Sequence, residues 1–350
     1  MKVAMITVGN PERRTGGYLY HKQVYAILAR MGLRIDEIVV SDADEAAQQQ
    51  ATFPADITAY DVIMVDMLAR IAVAPYVAQW QAQTTIVAMV HELPSLAGVS
   101  VTTPEQILLD AAHRCIVVSE AGAAAVVARG VSASRLVLAK PGCDRLGAPA
   151  MRRAVANPAV LCVAQWIPRK GIDALLRAWA MVGARHVPLT FYGEVDADPR
   201  YAAGCRQQVL ELQQAGYAIS VRGSVSNRAL RAGYAAARVF VLPSRFEGYG
   251  MAHAEAIWAG IPVVGYAIPS VQRIVAAAGT LVPIDGEAAL AQALAPYCSD
   301  VTYGRTLDVA IAHARAALPR WQDTAFAWLV ALDVSTQLPT IPAPYAYNAG

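Results

Sequence analysis

The sequence predicts an α/β fold made of two successive halves, each built on a parallel sheet. Short apolar runs alternate with amphipathic stretches from the first residues onward, a pattern typical of parallel strands joined by helical crossovers. A chain of 350 residues is long enough for two domains of roughly 150 residues. The alternation fails between residues 141 and 158, where proline, glycine and arginine accumulate. We therefore predict a linker there.

The expected elements alternate in both halves. In the first half the predicted strands are residues 2–8, 34–40, 61–65, 85–90, 115–118 and 136–139, and the first helix covers 18–31 and ends at Gly32. In the second half the predicted strands are 159–163, 187–192, 218–222, 239–242 and 262–264, with helices at 172–182, 200–214, 227–236 and 252–259. Helical spacing returns at 286–297 and 321–332, and the Pro-rich residues 337–350 indicate a weakly ordered strap.

Composition and charge exclude several classes of protein. A hydrophobic fraction of 56% and a charged fraction of 16% are far from the composition of disordered chains. The formal net charge of +2 gives no global positive field, so we expect no nucleic-acid partner. The five cysteines are widely spaced without a C-x-x-C pair, which fits neither a zinc cluster nor a disulfide framework and indicates a reducing cytoplasm.

Apolar segments raise the question of membrane contact. No apolar run approaches the roughly 18 residues that a spanning helix needs. Residues 1–9 fit a signal peptide or a buried first strand, and the lack of a small-residue cleavage site favours the strand. The segment containing Arg70, Ile71, Val73, Tyr76 and Trp80 fits either a lipid-facing surface or a helix packed on the core. We predict a cytoplasmic protein, with peripheral contact at the inner membrane face left open.

Residues 242–256, named here the signature segment, carry the strongest functional pattern. They read as a strand, a glycine-bearing turn and a helix. Gly248 and Gly250 let the backbone approach a ligand closely, and the free amides at the start of the helix favour an anion. Glu247 and Glu255 place one carboxylate on each side of that turn. A capped surface helix with two solvated glutamates is the alternative.

The run P-S-R-F-E-G-Y-G-M-A-H-A-E-A-I-W-A-G-I-P-V-V resembles the signature of the family-4 retaining glycosyltransferases, a family of glycosyltransferase group 1. The resemblance implies the GT-B fold, in which two Rossmann-like domains have parallel sheets facing across a cleft that holds the active site. It implies that Glu247 contacts the donor sugar and that Glu255 holds the ribose hydroxyls. The amides expected to receive the diphosphate are those of Gly248, Tyr249, Gly250 and Met251.

The resemblance covers most of the chain. Thr15-Gly16-Gly17-Tyr18 is similar to the family's N-terminal glycine loop, which implies that Gly16 and Gly17 let the backbone approach the donor; an ordinary strand-to-helix turn is the alternative. Similar segments also follow in the family's order, at 119–120, 140–144, 223–227 and 320–321. For the segment 223–227, the resemblance implies that Val225 lies at the donor.

His91 follows an apolar strand, at the edge of the sheet where open α/β folds bind ligands. A lone histidine is more often a packing residue. The family commonly has a histidine here near the donor sugar, so the resemblance implies a catalytic role for His91. Glu92 and Asp66 also follow predicted strands and are weaker candidates for binding acceptor hydroxyls.

One segment departs from the family's pattern. Val163-Ala164-Gln165-Trp166-Ile167-Pro168-Arg169-Lys170-Gly171 corresponds to a family segment that usually reads V-G-R-L-x-x-x-K-G, in which the arginine and lysine neutralise the leaving diphosphate. Lys170 fits this pattern, whereas Gln165 replaces the arginine and removes one charge. Arg169 is the candidate substitute, although neighbours in an extended segment point in opposite directions.

Two D-x-D patterns raise the alternative of a metal-dependent transferase with the other major glycosyltransferase fold. Asp42-Ala43-Asp44 lies in a polar stretch and Asp196-Ala197-Asp198 precedes Pro199, so both are interpreted as solvated loops rather than metal ligands. The sequence also lacks a G-x-G-x-x-G, a P-loop and a G-x-S-x-G motif, which disfavours dehydrogenases, NTPases and esterases. We expect no metal and no cofactor.

The sequence thus predicts a metal-independent transferase that moves a sugar from a nucleotide diphosphate sugar to an acceptor hydroxyl, with Lys170 and Glu247 catalytic alongside His91. The predicted domains are an acceptor-side domain at 1–148, a nucleotide-sugar-binding domain at 149–318, and at 319–350 a helix crossing back to the first domain followed by the Pro-rich tail. Two alternatives stay open. One is a sugar-nucleotide-binding protein with impaired catalysis, and the other is a GT-B phosphorylase or epimerase.

Overall fold

The computed structural model describes residues 1–13, 15–41, 45–97, 102–148 and 156–333. The chain divides into a first unit, residues 1–142 together with the segment from Pro319, and a second unit, residues 143–318. Asp42-Ala43-Asp44 and the predicted strap at 337–350 lie outside the described residues.

The first unit alternates strands and helices along the chain. Its elements are β1 (Val3–Val8), α1 (Gly16–Arg30), β2 (Ile35–Val40), α2 (Glu45–Gln49), β3 (Val62–Asp66), α3 (Arg70–Val73), α4 (Val77–Trp80), β4 (Thr85–Val90), α5 (Thr103–Ala111), β5 (Arg114–Val117) and β6 (Leu136–Leu138), with α6 (Glu120–Val127) between the last two strands. The strands pair in the order β2-β1-β3-β4-β5-β6, and each pairing is parallel.

Burial of the central strands explains their composition. Every residue of β1 and β3 is buried, and so is β4 from its second residue on. Parallel strands covered on both faces read as continuous apolar runs, which is why the sequence predicts them well. Helix α1 begins at Gly16, two residues before the predicted start, and ends before Gly32, whose φ of 89° is a left-handed conformation that favours glycine.

The second unit continues the same alternation. Its elements are β7 (Ala159–Val163), α7 (Ile172–Val182), β8 (Leu189–Tyr192), α8 (Pro199–Gln214), β9 (Ile219–Val221), α9 (Asn227–Ala236), β10 (Ala237–Leu242), α10 (Met251–Trp258), β11 (Val263–Tyr266), α11 (Pro269–Val275), β12 (Gly279–Val282), α12 (Glu287–Ser299) and α13 (Asp308–Ala316). The strand order is β12-β11-β10-β7-β8-β9 with parallel pairings. Strand β10, which precedes the functional turn, is buried throughout.

The last helix described, α14 (Trp321–Ala331), belongs to the first unit. Trp328 donates its indole N–H to the Tyr20 hydroxyl at 2.9 Å, and that hydroxyl donates to the carbonyl of Ala139 at 2.9 Å. A Cβ on Gly142 would lie 2.1 Å from the backbone nitrogen of Trp321. Only glycine therefore permits this close approach to the start of α14.

Two boundaries differ from the sequence expectation. The second unit begins at Cys143 rather than residue 149 because Arg145 is held by Glu255 and Asn227 of that unit. Strand β12 was not predicted, since only its last residue is buried and an edge strand carries a weak apolar pattern.

The segment proposed to face lipid is part of the core of the first unit. Arg70, Ile71, Val73 and Trp80 are all buried, and the Tyr76 ring stacks on Trp80 with centroids 5.4 Å apart. The lipid-facing interpretation of these side chains is therefore wrong. None of the helices in the described part of the chain is long and apolar enough to span a bilayer.

Candidate functional site

The turn after β10 presents backbone amides at the start of α10. Gly250 occupies the N-cap position of that helix with a φ of 111°. A Cβ there would meet His253 Nδ1 and Val271 Cγ2 at 3.2 Å, so both the backbone conformation and the space favour glycine. The first-turn amides of a helix lack intrahelical partners and attract anions. The structure thus gives the predicted turn the local geometry of a phosphate site.

Glu247 lies on this turn among hydrogen-bond donors. Lys170 Nζ contacts its two carboxylate oxygens at 2.6 and 2.7 Å, and the Ser244 hydroxyl donates to Oε1 at 2.6 Å. Arg169 Nη1 lies 3.5 Å from Oε2. Burial by itself raises the pKa of Glu247, but Lys170 and Arg169 outweigh it and lower the pKa to about 2. Glu247 is therefore an anion across the physiological pH range.

Arg169 and Lys170 reach the same carboxylate because their segment is not extended. Residues Pro168–Lys170 form a 3₁₀ turn that ends at Gly171, where φ is 66°. Arg169 also donates to the carbonyl of Phe246 at 3.1 Å. The expectation that neighbouring side chains diverge is thus wrong here, and the site holds two cations beside Glu247.

Gln165 has a different partner. Its amide Nε2 donates to Glu194 Oε2 at 2.7 Å. A glutamine at this position provides a hydrogen bond and no charge. Arg169, at the neighbouring turn, places a cation beside Glu247, and its role as the substitute for the family's arginine stays a prediction.

Glu255 is the second acidic residue of the signature segment and projects from α10. Arg145 Nε contacts Glu255 Oε1 at 2.5 Å, and the Tyr234 hydroxyl donates to Oε2 at 3.3 Å. Arg145 also donates to Asn227 Oδ1 at 3.2 Å. The Arg145 and Glu255 side chains are only 6% and 4% exposed. Sequence reasoning missed Arg145, although Arg145 directly follows the segment 140–144 that resembles the family's pattern.

The remaining donor-site candidates of the second unit lie on the glycine turn, at the first residue of α10 and just before α9. Tyr249 is buried within the glycine turn, whereas Gly248 and Met251 are partly exposed beside it. Val225 is partly exposed and precedes Ser226, whose hydroxyl accepts from the Ala229 amide and so caps α9.

In the first unit, the glycine loop and His91 are neighbours. Gly16 and Gly17 form the first turn of α1, and a Cβ on Gly17 would lie 3.8 Å from His91 Cδ2. His91 Nε2 lies 2.9 Å from His21 Nε2, and Asp66 Oδ2 lies 3.9 Å from His91 Nε2. Sequence reasoning treated Asp66 and His91 separately and missed His21.

Burial is the main cause of the pKa shifts of His21, Asp66 and His91. It lowers the pKa of His91 to about 4 and that of His21 well below its ordinary value, so both imidazoles are neutral. It raises the pKa of Asp66 to about 7, although the Leu68 amide donates to Asp66 Oδ1 at 2.9 Å. The cluster therefore joins two neutral imidazoles and a carboxyl group, with His21 and Asp66 buried and His91 partly exposed.

The second D-x-D pattern has a structural explanation. Asp198 caps α8 by accepting from the Tyr201 amide at 3.0 Å. Asp196 is exposed and paired with Arg206. The two carboxylates thus serve the start of α8 and its surface, as expected for a solvated loop.

The two α/β units have the architecture of the GT-B fold. The chain resembles sucrose-phosphate synthase from Thermosynechococcus elongatus with a TM-score of 0.76 and 22% identity, over 96% of this chain and 98% of that chain. It resembles Anabaena HepE, solved in complex with UDP and glucose, with a TM-score of 0.72 and 18% identity, over 95% and 99% of the two chains. These similarities confirm the predicted fold, a two-domain Rossmann-like GT-B fold.

Sequence comparison finds one family model and one curated relative that match part of the chain. Residues 157–300, which contain Lys170 and the signature segment, match the family model described as Glycosyl transferases group 1. The GDP-mannose-dependent alpha-(1-6)-phosphatidylinositol monomannoside mannosyltransferase of Mycolicibacterium smegmatis is 30% identical over 175 residues. That match covers 47% of this chain and 44% of the relative, less than half of its length. The predicted resemblance to the group 1 glycosyltransferases is confirmed.

Proposed function

We propose that the protein transfers a sugar from a nucleotide diphosphate sugar to an acceptor hydroxyl with retention at the anomeric carbon. One observation carries this proposal. Glu247 lies between Lys170 and Arg169 on the turn that precedes the free amides of α10. A cation pair and a helix N-terminus together form a site for a diphosphate, and the adjacent carboxylate provides an acceptor for sugar hydroxyls.

The positive groups of this site act on the leaving group. At about 4 Å and an effective dielectric near 20, one ion pair contributes on the order of 4 kcal/mol before desolvation. Lys170 and the amides from Gly248 to Met251 stabilise the charge that develops on the diphosphate, as preorganised donors do. Arg169 supplies the second charge that Gln165 lacks. Glu255 holds the ribose hydroxyls, and the resemblance assigns His91 to the donor sugar.

The proposed reaction needs no protein nucleophile. The bond between the anomeric carbon and the diphosphate oxygen breaks, and the acceptor oxygen forms its bond on the same face. The acceptor proton passes to an oxygen of the leaving diphosphate. Glu247 orients the sugar rather than donating a proton, because its low pKa keeps it ionised.

The nucleotide sugars to be tested as donors are chosen from the names of the similar proteins. A mannosyltransferase relative is GDP-mannose-dependent, and HepE was solved with UDP-glucose. We propose a hexose donor and test GDP-mannose and UDP-glucose first by thermal shift, then by release of the nucleoside diphosphate in the presence of alcohol and glycan acceptors. Product analysis by NMR is expected to show retained configuration. Donor binding without turnover, dependence on phosphate, or sugar interconversion would each contradict the proposal.

Changing Glu255 to glutamine is expected to weaken nucleoside diphosphate binding at least several-fold. Glutamine keeps the side-chain size but removes charge-assisted hydrogen bonds that contribute roughly 1 to 3 kcal/mol. Calorimetric titration with GDP and UDP measures the change. Glu211→Gln, an exposed glutamate of α8 in the same unit, is the matched control. Equal affinity of Glu255→Gln and wild type would sink the ribose assignment.

Chelation is expected to leave turnover unchanged. Lys170, Arg169 and the α10 amides supply the positive potential that a metal ion provides in other transferases. Initial rates are measured with protein dialysed against EDTA and assayed with and without added manganese. Complete loss of turnover that manganese restores would overturn metal independence.

A further inference from the structure

We propose that His21, Asp66 and His91 form a binding site for one divalent transition-metal ion in the first unit. Three different elements supply these residues: α1 carries His21, Asp66 ends β3, and His91 directly follows β4. Strands β3 and β4 are paired in parallel, so their carboxyl ends meet at one edge of the sheet.

The spacing of the three ligand atoms matches a metal ion. The two Nε2 atoms are 2.9 Å apart, and Asp66 Oδ2 lies 4.0 Å from His21 Nε2 and 3.9 Å from His91 Nε2. A point equidistant from three atoms at these separations lies about 2.1 Å from each of them. Zinc binds imidazole nitrogen at about 2.0–2.1 Å and carboxylate oxygen at about 2.0–2.2 Å.

The surroundings of the Asp66 carboxyl favour a bound cation. Within the described residues, the basic side chains within 4.0 Å of the Asp66 carboxyl are the two imidazoles, and neither lysine nor arginine is among them. The Leu68 amide holds Asp66 Oδ1, which leaves Oδ2 for the ion. Because Asp66 is buried and pairs with no lysine or arginine of the described residues, a divalent ion meets no competing cation at its Oδ2.

The ligand set selects the metal. Two imidazoles and one carboxylate suit zinc, cobalt, nickel or ferrous iron, whereas magnesium and calcium prefer oxygen ligands alone. His21 Nδ1 is buried and has no hydrogen-bond partner among the residues that the structure describes. Outer-shell partners typically contribute 10- to 100-fold in affinity. We therefore expect micromolar binding rather than the tighter binding of structural zinc sites.

One consequence rests on the proposed function. An ion on His91 Nε2 engages the side chain that the resemblance places near the donor sugar. Zinc is therefore expected to inhibit sugar transfer while the chelated enzyme stays active. This makes the site inhibitory rather than a source of the positive potential used in catalysis.

The test is a titration of untagged, EDTA-dialysed full-length protein with cobalt, followed by visible absorption and calorimetry without nucleotide sugar. We expect one cobalt per chain with d–d absorption bands, displaced by zinc. His21→Gln and Asp66→Asn should each weaken binding at least tenfold, whereas His113→Gln, at an exposed histidine of the same unit, should bind as wild type does.

Circular dichroism checks that the variants fold, and the nearly isosteric Asp66→Asn keeps the test valid if His21→Gln does not fold. Absence of cobalt bands in wild type, or equal affinity in wild type and Asp66→Asn, would overturn the metal site. Because no nucleotide sugar is present, a protein that binds cobalt and never transfers sugar contradicts the proposed function alone.

Discussion

Lys170→Ala is expected to lower sugar transfer by about 100- to 1,000-fold, the effect of removing one preorganised donor to a developing charge. Lys170 Nζ contacts both carboxylate oxygens of Glu247, at 2.6 and 2.7 Å, and its side chain is 12% exposed. Its loss removes a partner of Glu247 and, on the proposed function, the cation that stabilises the leaving diphosphate. Initial rates of nucleoside diphosphate release at fixed salt measure the effect.

Two further variants serve as comparisons for Lys170→Ala. Arg169→Ala should give a smaller loss, because Arg169 lies farther from Glu247 and is more exposed than Lys170. Arg177→Ala removes a surface cation of α7 in the same unit and should leave turnover unchanged. Near-normal turnover in Lys170→Ala would show that the leaving-group site is misplaced.

Arg145→Met is expected to destabilise the second unit by about 3–5 kcal/mol, because it leaves the buried Glu255 carboxylate without its cation. Arg145 and Glu255 are 6% and 4% exposed, and among the described residues the other side-chain hydrogen bond to the Glu255 carboxylate comes from the Tyr234 hydroxyl at 3.3 Å. Urea denaturation of the full-length protein, followed by tryptophan fluorescence, measures the change in the free energy of unfolding.

The control for Arg145→Met is a solvent-exposed ion pair of the same unit. Arg177 contacts Glu287 at 2.7 Å with 43% of its side chain exposed, and surface ion pairs contribute about 0–1 kcal/mol. Arg177→Met should therefore change stability little. The double variant Arg145→Met with Glu255→Gln should recover part of the loss, since no buried charge stays unpaired. Equal effects of Arg145→Met and Arg177→Met would contradict the buried-pair interpretation.

The fold was predictable because local pattern and tertiary environment agree in the central strands. Strands β1 and β10 are continuously apolar and fully buried, and both were predicted from that pattern. The glycine turn at Gly250 was predictable for a similar reason, since a left-handed N-cap beside a helix has a local sequence signal. The edge strand β12 carries little of this pattern and was missed.

The parts of the site that escaped prediction depend on contacts between distant residues. Arg145 and Glu255 are 110 positions apart, and nothing local marks an arginine after a loop as the partner of a buried glutamate. His21 lies 70 positions from His91 and resembles any packing residue of an amphipathic helix. The joint action of Arg169 and Lys170 required knowing that Pro168–Lys170 is a 3₁₀ turn.

A crystal structure of the protein with bound GDP or UDP tests the central claim most directly. The account predicts the diphosphate within hydrogen-bond distance of Lys170 Nζ and of the amides between Gly248 and Met251, with the ribose hydroxyls on Glu255. A diphosphate bound away from the signature segment, with Lys170 Nζ still on the Glu247 carboxylate, would contradict it.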